Sequence, residues 1–361
     1  MYARSLFFKG AIIAFWVAII GAVLYVDQLS FVDHTKTLNV FGWAGMFDPA
    51  FIAQFEKKTG IRVNISYYES NEELLVKLKA TKGKGYDIIV PSDYTVHLLA
   101  QEGILKELDR SQLPFWDTLN PALLGHYYDP QNIYSMPYEW SILGIGYNKN
   151  FFKEPFDKTW GLVFDPVTVD YPIAMVNDVM MATTYASYYL FGNPSGITME
   201  KLQEIEKLFK QQKQWVQAYS DFRADYLLAS KDVKAGVVSS SYILRSMREN
   251  DHIGFFIPRE GGQVTIENIA IPRTTDKEDL IYQFLRFLYS PENIVNNFKQ
   301  FAFFPPTTNV FDEIDAPDEI KELINITPKT FEHLDFLKIS DFVYPVTEQV
   351  LQDMWVHVKS W

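Results

Sequence analysis

Aromatic rings and carboxylates standing just beyond apparent strand ends are the residues of this sequence best placed to do chemistry. Trp43 follows a strand-like run at 38–41, and Pro91-Ser92-Asp93-Tyr94 follows another at 87–90. Asn177-Asp178 follows a third at 173–176, and Glu267 opens a later one at 267–272. Open α/β sheets bind their ligands outside the carboxyl ends of strands. A cation over a ring face gains roughly 0.5–2 kcal/mol, and a charge-assisted hydrogen bond adds roughly 1.5–3 kcal/mol. Rings and carboxylates gathered there suit an alkylammonium ligand. Each residue also has a plainer reading. Trp43 fits core packing, Ser92 and Asp93 fit helix caps, and Tyr94 fits an exposed loop. Asp178 fits the cap of a methionine-rich helix, and Glu267 fits an exposed strand position.

Other chemistries lack their residues. Gly83-x-Gly85 precedes a strand and reads as a turn, not as a phosphate cradle. The serine-hydrolase pattern Gly-x-Ser-x-Gly is absent. The six His, at 34, 97, 126, 252, 333 and 357, are scattered without metal-ligand spacing, so no metal is expected. With no Cys, the chain has no disulfide, thiolate zinc site or Cys nucleophile. No catalytic constellation assembles, so neither an enzyme nor a cofactor is expected. An enzyme on such a frame would need a nucleophile or base clustered in the cleft.

The elements that must position these residues follow from pattern and length. The 361 residues predict about two domains. Hydrophobic residues at 48% and charged residues at 22% are globular values, while aromatics at 16% are in excess. A net charge of −12 without a basic patch argues against nucleic acid. Arg4 and Lys9 precede an unbroken apolar run over 10–26, roughly 26 Å long as a helix. It ends without a small-x-small cleavage pattern, which favours an uncleaved signal anchor over a cleaved signal peptide. Basic residues before the run place its tip in the cytoplasm and the remainder outside the inner membrane.

After a linker over 27–37, strand and helix signals alternate. Asp48-Pro49 reads as an N-cap and first helical residue, with Gly60 as the stop. Ile61–65 alternates as a strand, and Ser70-Asn-Glu-Glu73 is a capping box. A helix over 95–102 follows the strand at 87–90. This rhythm predicts a mostly parallel sheet with helices on both faces. Strand-like pieces at 134–138 and 144–148, and the later one at 267–272, are placed to cross between two lobes. The segment 318–361 reads as helices without being a separate domain.

Several of these runs resemble a known family. Phe41-Gly-Trp43, Phe55-Glu-Lys-Lys-Thr-Gly60-Ile, Tyr68-Glu-Ser-Asn71-Glu, Tyr86-Asp-Ile-Ile-Val-Pro-Ser92 and Tyr134-Ser-Met-Pro-Tyr138 are similar to the periplasmic spermidine/putrescine-binding proteins of bacterial ABC transporters. The likeness is close over residues 38–150 and returns at Gly261-Gly262 through Pro272 and at Phe304-Pro305. It implies an α/β, two-lobed type II periplasmic-binding-protein fold that closes by a hinge over an extended polyamine. Lobe one is then expected over 38–139 plus 266–300, and lobe two over 140–265 plus 301–361.

The resemblance also assigns roles. Trp43 matches a pocket tryptophan, and Ser92 and Tyr94 match a pocket-loop serine and tyrosine, with Asp93 between them. Asp178 falls where an aspartate binds one ligand end, Glu267 falls where an aspartate grips an ammonium, and Phe304 replaces a tyrosine. The chain departs from the pattern at Ala44, Gly45 and Met46, at Met181, and at Ser239 and Thr265, where two tryptophans are missing; Tyr242 lies close enough to substitute. The implied partners are a small cationic amine and an inner-membrane ABC permease, with a monomer in the periplasm tethered by its N-terminal helix. An anchored amine sensor and a solute-binding protein with a diverged ligand are the alternatives.

Overall fold

From Thr37 onward the chain alternates strand and helix as the periodicity predicts. The computed structural model describes residues 36–220, 223–332 and 334–360, with Phe15, Trp16 and Ile19 as isolated earlier positions. The expected signal anchor or signal peptide over 1–26 lies outside the described residues apart from those three. Among the described residues no helix is long and apolar enough to cross a membrane.

Ten strands are described: β1 Thr37–Trp43, β2 Arg62–Tyr68, β3 Ile88–Ile89, β4 Ser135–Asn148, β5 Ile173–Met175, β6 Val216–Tyr219, β7 Ala235–Ser239, β8 Ile253–Phe256, β9 Gly262–Ala270 and β10 Leu334–Asp335. Local signals start and stop the helices between them. Asp48 Oδ1 accepts from the Ala50 N–H at 2.8 Å ahead of the helix Pro49–Thr59, which Gly60 ends in the left-handed region at φ 71°. Ser70 Oγ accepts from the Glu73 N–H at 3.2 Å and starts the helix Asn71–Thr81.

The strands form one sheet in the order β2-β1-β3-β9-β4-β7-β5-β6, with β8 added on β4 and β10 on β9. Strand β1 pairs in parallel with β2 and β3, and β5 pairs in parallel with β6 and β7. Between the two sets stand β9 and β4, antiparallel to each other and to β3 and β7 on either side. Following the directions across the sheet, β5–β7 run opposite to β1–β3. The carboxyl ends of both sets therefore face each other across the middle of β4 and β9. Ser92, just past β3, bridges to Glu267, while Ser239 at the end of β7 pairs with Leu143. The space between those two contacts is where a ligand site belongs.

The two strand-like pieces at 134–138 and 144–148 prove to be one strand of 14 residues. Its far half needs glycine: a Cβ at Gly144 would sit 2.5 Å from the Phe256 carbonyl oxygen, so no larger residue permits the β4–β8 pairing. Its near half carries Trp140, wholly buried, whose Nε1 donates to the Pro305 carbonyl at 3.1 Å.

Two apolar cores pack against the crossing strands, the first of them running on past the first lobe to Leu228, Val238 and Ile243. One gathers Val40, Phe41, Phe55, Leu74, Ile89 and Phe284; the other gathers Ile145, Trp160, Ile173, Tyr185 and Phe209. The C-terminal segment, expected to go wholly to the second lobe, divides between them. Phe331 and Phe336 pack on His126, and Asn120 donates to the Ile326 carbonyl at 3.2 Å. The helix Glu348–Ser360 instead packs by Trp355 against Phe209 and donates from that indole to the Asn177 carbonyl at 2.8 Å. Strand β10, between these parts, interrupts what the sequence presents as helix.

Candidate ligand-binding cleft

Alternation along β4 and β9 sorts their side chains into two faces. Trp140, Ile142, Val264 and Ile266 are buried in core on one face. Glu139, Ser141, Thr265 and Glu267 take the other, with Glu139 opposite Glu267 and Ser141 opposite Thr265 in the antiparallel register. Ser141 and Thr265 are half-buried, so this second face is not sealed by core packing.

Glu267 is the centre of the first-lobe contacts. The Trp43 indole, delivered by the end of β1, donates to Oε2 at 2.8 Å. The Ser92 hydroxyl lies 2.7 Å from Oε1 and 2.9 Å from Oε2, and itself accepts from Asn71 Nδ2 at 3.0 Å. Ser92 occupies the N-cap position of the helix Asp93–Gln101 yet makes no side-chain cap bond there. Its hydroxyl has been turned to the carboxylate instead. Trp43 is held in turn by the Tyr68 ring, centroid to centroid 4.6 Å, whose hydroxyl is tied to the Val90 carbonyl.

The other expected residues are placed as follows. Asp93 is buried with both oxygens used on backbone: Oδ1 accepts from Tyr94 N–H at 2.7 Å, and Oδ2 from Ile266 N–H at 3.1 Å. It therefore pins β9 to the helix behind Ser92. Tyr94 is half-buried and its hydroxyl reaches Glu72 Oε1 at 3.4 Å. Asp178 is exposed at the end of β5 and caps the helix Val179–Phe191 through Met181 N–H at 2.8 Å. Tyr242 is half-buried on the helix Ser240–Glu249, with the Arg245 guanidinium 4.7 Å from its ring; burial raises its phenol against the pull of Arg245, and the Glu139 carboxyl adds to the rise. Phe304 does not join the group. It is wholly buried, paired in backbone with Trp140 and packed edge-on against that indole at 5.0 Å, hence on the core side of β4.

Sequence reasoning missed Glu139, Tyr68 and Asn71. Glu139 had a signal: it is the single acid in Ser135–Asn148, a strand otherwise of apolar and small polar residues. Asn71 and Tyr68 had none, because their value lies in the residues they support.

Burial sets the electrostatics. Desolvation, only partly offset by the bonds from Ser92 and Trp43, pushes Glu267 up to about 8. Desolvation and then the facing charge of Glu267 hold Glu139 well above the usual carboxylate range. Asp93 is raised to about 7 by burial, against the pull of its backbone bonds. Among the described residues no ion pair reaches any of the three. Each of the three therefore keeps its proton to a higher pH than an exposed carboxyl does, and none is matched by a cationic side chain. The Ser92 hydroxyl and the carboxyls are suited to holding a ligand by charge and hydrogen bonds.

Comparison with known proteins agrees with this architecture. Residues 50–328 match the bacterial extracellular solute-binding protein family. The chain is 28% identical to the putrescine-binding periplasmic protein SpuD of Pseudomonas aeruginosa, over 90% of this chain and 92% of that one. It is equally identical, at 28%, to the putrescine-binding periplasmic protein PotF of Escherichia coli, over 94% and 96%. Among solved structures, the spermidine/putrescine ABC transporter substrate-binding protein PotD of Streptococcus pneumoniae superposes with a TM-score of 0.76 at 25% identity, covering 90% of this chain and 99% of that one. Sharing the two-lobed α/β fold of that structure and matching the family over most of its length, the chain belongs to the bacterial extracellular solute-binding proteins.

Proposed function

We propose that the protein captures a cationic polyamine of the putrescine/spermidine class between its lobes and delivers it to an ABC permease of the inner membrane. One observation carries the reading: a buried carboxylate, Glu267, aimed by an indole and a serine hydroxyl at the point where the carboxyl ends of both strand sets meet, with no cation of its own. The relatives' names point to the same class of ligand. Trp43, Tyr94 and Tyr242 supply ring faces for the methylene chain, and Ser92 and Asp93 act behind Glu267. The apolar run over 10–26 serves as export signal or membrane tether, and the working unit is a monomer. The chain is a binding protein and not an enzyme. Calorimetry of the purified protein against putrescine, spermidine and spermine is expected to show heat of binding for at least one. Silence from all three at millimolar ligand removes the polyamine assignment and leaves the fold untouched.

Asp178 offers the second-lobe charge in this reading, and its capping role can be separated from that. Asparagine caps helices as well as aspartate does, whereas alanine does not. Asp178→Asn is expected to keep the melting temperature and weaken polyamine binding severalfold. Asp178→Ala should in addition cost about 1 kcal/mol of stability, readable in a denaturant titration. Unchanged affinity in Asp178→Asn would confine the residue to its cap.

A further inference from the structure

Glu139 is a poor match to its place in the fold. Its neighbours in β4 satisfy the core face, and a leucine or isoleucine would suit a position this buried far better. It is 9% exposed, its Oε2 has no hydrogen-bond partner, and it sits directly opposite a second buried acid, Glu267, itself 8% exposed. Side chains directly opposite on antiparallel strands have Cβ atoms about 4.5–5.5 Å apart, and like charges there are destabilising. Two carboxyls so placed, facing an unsealed strip, are at odds with stability unless something positive comes between them.

We propose that Glu139 is a second ligand-binding carboxylate, and that with Glu267 it forms a two-sided seat for one primary ammonium group of the bound amine. A primary ammonium carries three N–H donors, enough to bond both carboxylates at once and leave one for a third acceptor. Glu267 is already oriented by Trp43 and Ser92, so it presents a fixed side of the seat. Glu139 presents the other from β4. Two residues along on the same face, Ser141 and Thr265 are small, which leaves a groove for the carbon chain leaving the seat. Tyr242, on the helix Ser240–Glu249, lies within electrostatic reach of Glu139. The seat selects amines by their terminal group: a trimethylated ammonium has charge but no donor, so it gains from neither carboxylate geometry.

This proposal rests on the amine-binding reading above, and the test separates the two. Wild type, Glu139→Gln and Glu139→Leu are titrated with putrescine and with its doubly N-trimethylated analogue, in which neither end keeps an N–H donor, and each is melted without ligand. Wild type is expected to prefer putrescine by tenfold or more. Both variants should lose at least tenfold in putrescine affinity and lose most of the preference, while melting at or above the wild-type temperature. Failure of wild type to bind any amine overturns the functional reading. Wild-type binding with an unchanged affinity and preference in both variants overturns the role of Glu139. A fall in melting temperature with preference intact would make Glu139 structural, which also overturns it.

Discussion

Glu267→Gln should bind putrescine or spermidine at least tenfold, and up to about a hundredfold, more weakly than the wild type. That range is what one charge-assisted contact of roughly 1.5–3 kcal/mol corresponds to. The substitution is nearly isosteric. With its carbonyl at the Oε2 position, the glutamine can still accept from Trp43 and Ser92, which now donate to that oxygen at 2.8 and 2.9 Å. The new amide can donate to the Ser92 oxygen, whose two lone pairs serve both Asn71 and a further donor. What is lost is the negative charge alone. Because that charge is buried without an ion-pair partner, its removal should leave the ligand-free melting temperature unchanged or raise it. Calorimetry and thermal melts on the same preparations decide the matter. An unchanged affinity removes Glu267 from the site, and a collapsed melting temperature would mean that its bonds to Trp43 and Ser92 are structural.

How much of this could be read from the chain depends on the range of the interactions involved. Asp48-Pro49, Ser70 and Gly60 act within a few residues, so the helix boundaries they set were legible. The logic of strand carboxyl ends also reached across the fold. It singled out Trp43 and Ser92, and the expected return crossing singled out Glu267, 224 and 175 positions from them in the chain and yet bonded to both. The same logic could not say what Ser92 does there. Cap positions and ligand loops look alike in sequence, and only the bond to Glu267 shows that the hydroxyl is not capping.

Glu139 escaped for a different reason. Two short strand signals with a gap between them left residues 139–143 without a face, and a face exists only when β4 is continuous. Phe304 was misplaced because no periodicity runs through the loop that carries it; a backbone bridge to Trp140 turns its ring into the core. The tail's division between lobes is likewise settled by contacts with residues 119–126 and 177–209, which no local pattern encodes.

Ligand affinity should rise with pH between about 5 and 8, by about tenfold per pH unit for each proton released on binding. Glu267 binds its proton more tightly folded than unfolded, going from an ordinary 4.5 to about 8, and Glu139 is displaced in the same direction. A cation requires the ionised carboxylates, so below pH 8 its binding must drive protons off. Primary amines stay protonated to about pH 10, so the ligand itself contributes no slope in this window. The stability of the ligand-free protein must move the opposite way. The folded state holds a proton that the unfolded chain has released, so the stability these groups contribute is fully present below about pH 4.5 and is lost as pH rises to about 8.

Other groups facing the pair shape the curve without reversing it. Asp93, at about 7, adds to the decline in stability, while the phenols of Tyr68, Tyr138 and Tyr242 are all raised and stay neutral. Arg245 acts on Tyr242 from its far side. Titrations at half-unit steps from pH 5 to 8.5, with melts of the empty protein alongside, should therefore show affinity climbing as the melting temperature falls. Glu267→Gln should flatten both; the slope it leaves in affinity belongs to Glu139, and the slope it leaves in stability to Glu139 and Asp93. An affinity that is level across this range would mean that the carboxylates are already charged in the empty cleft, and that burial does not govern how this protein takes up its ligand.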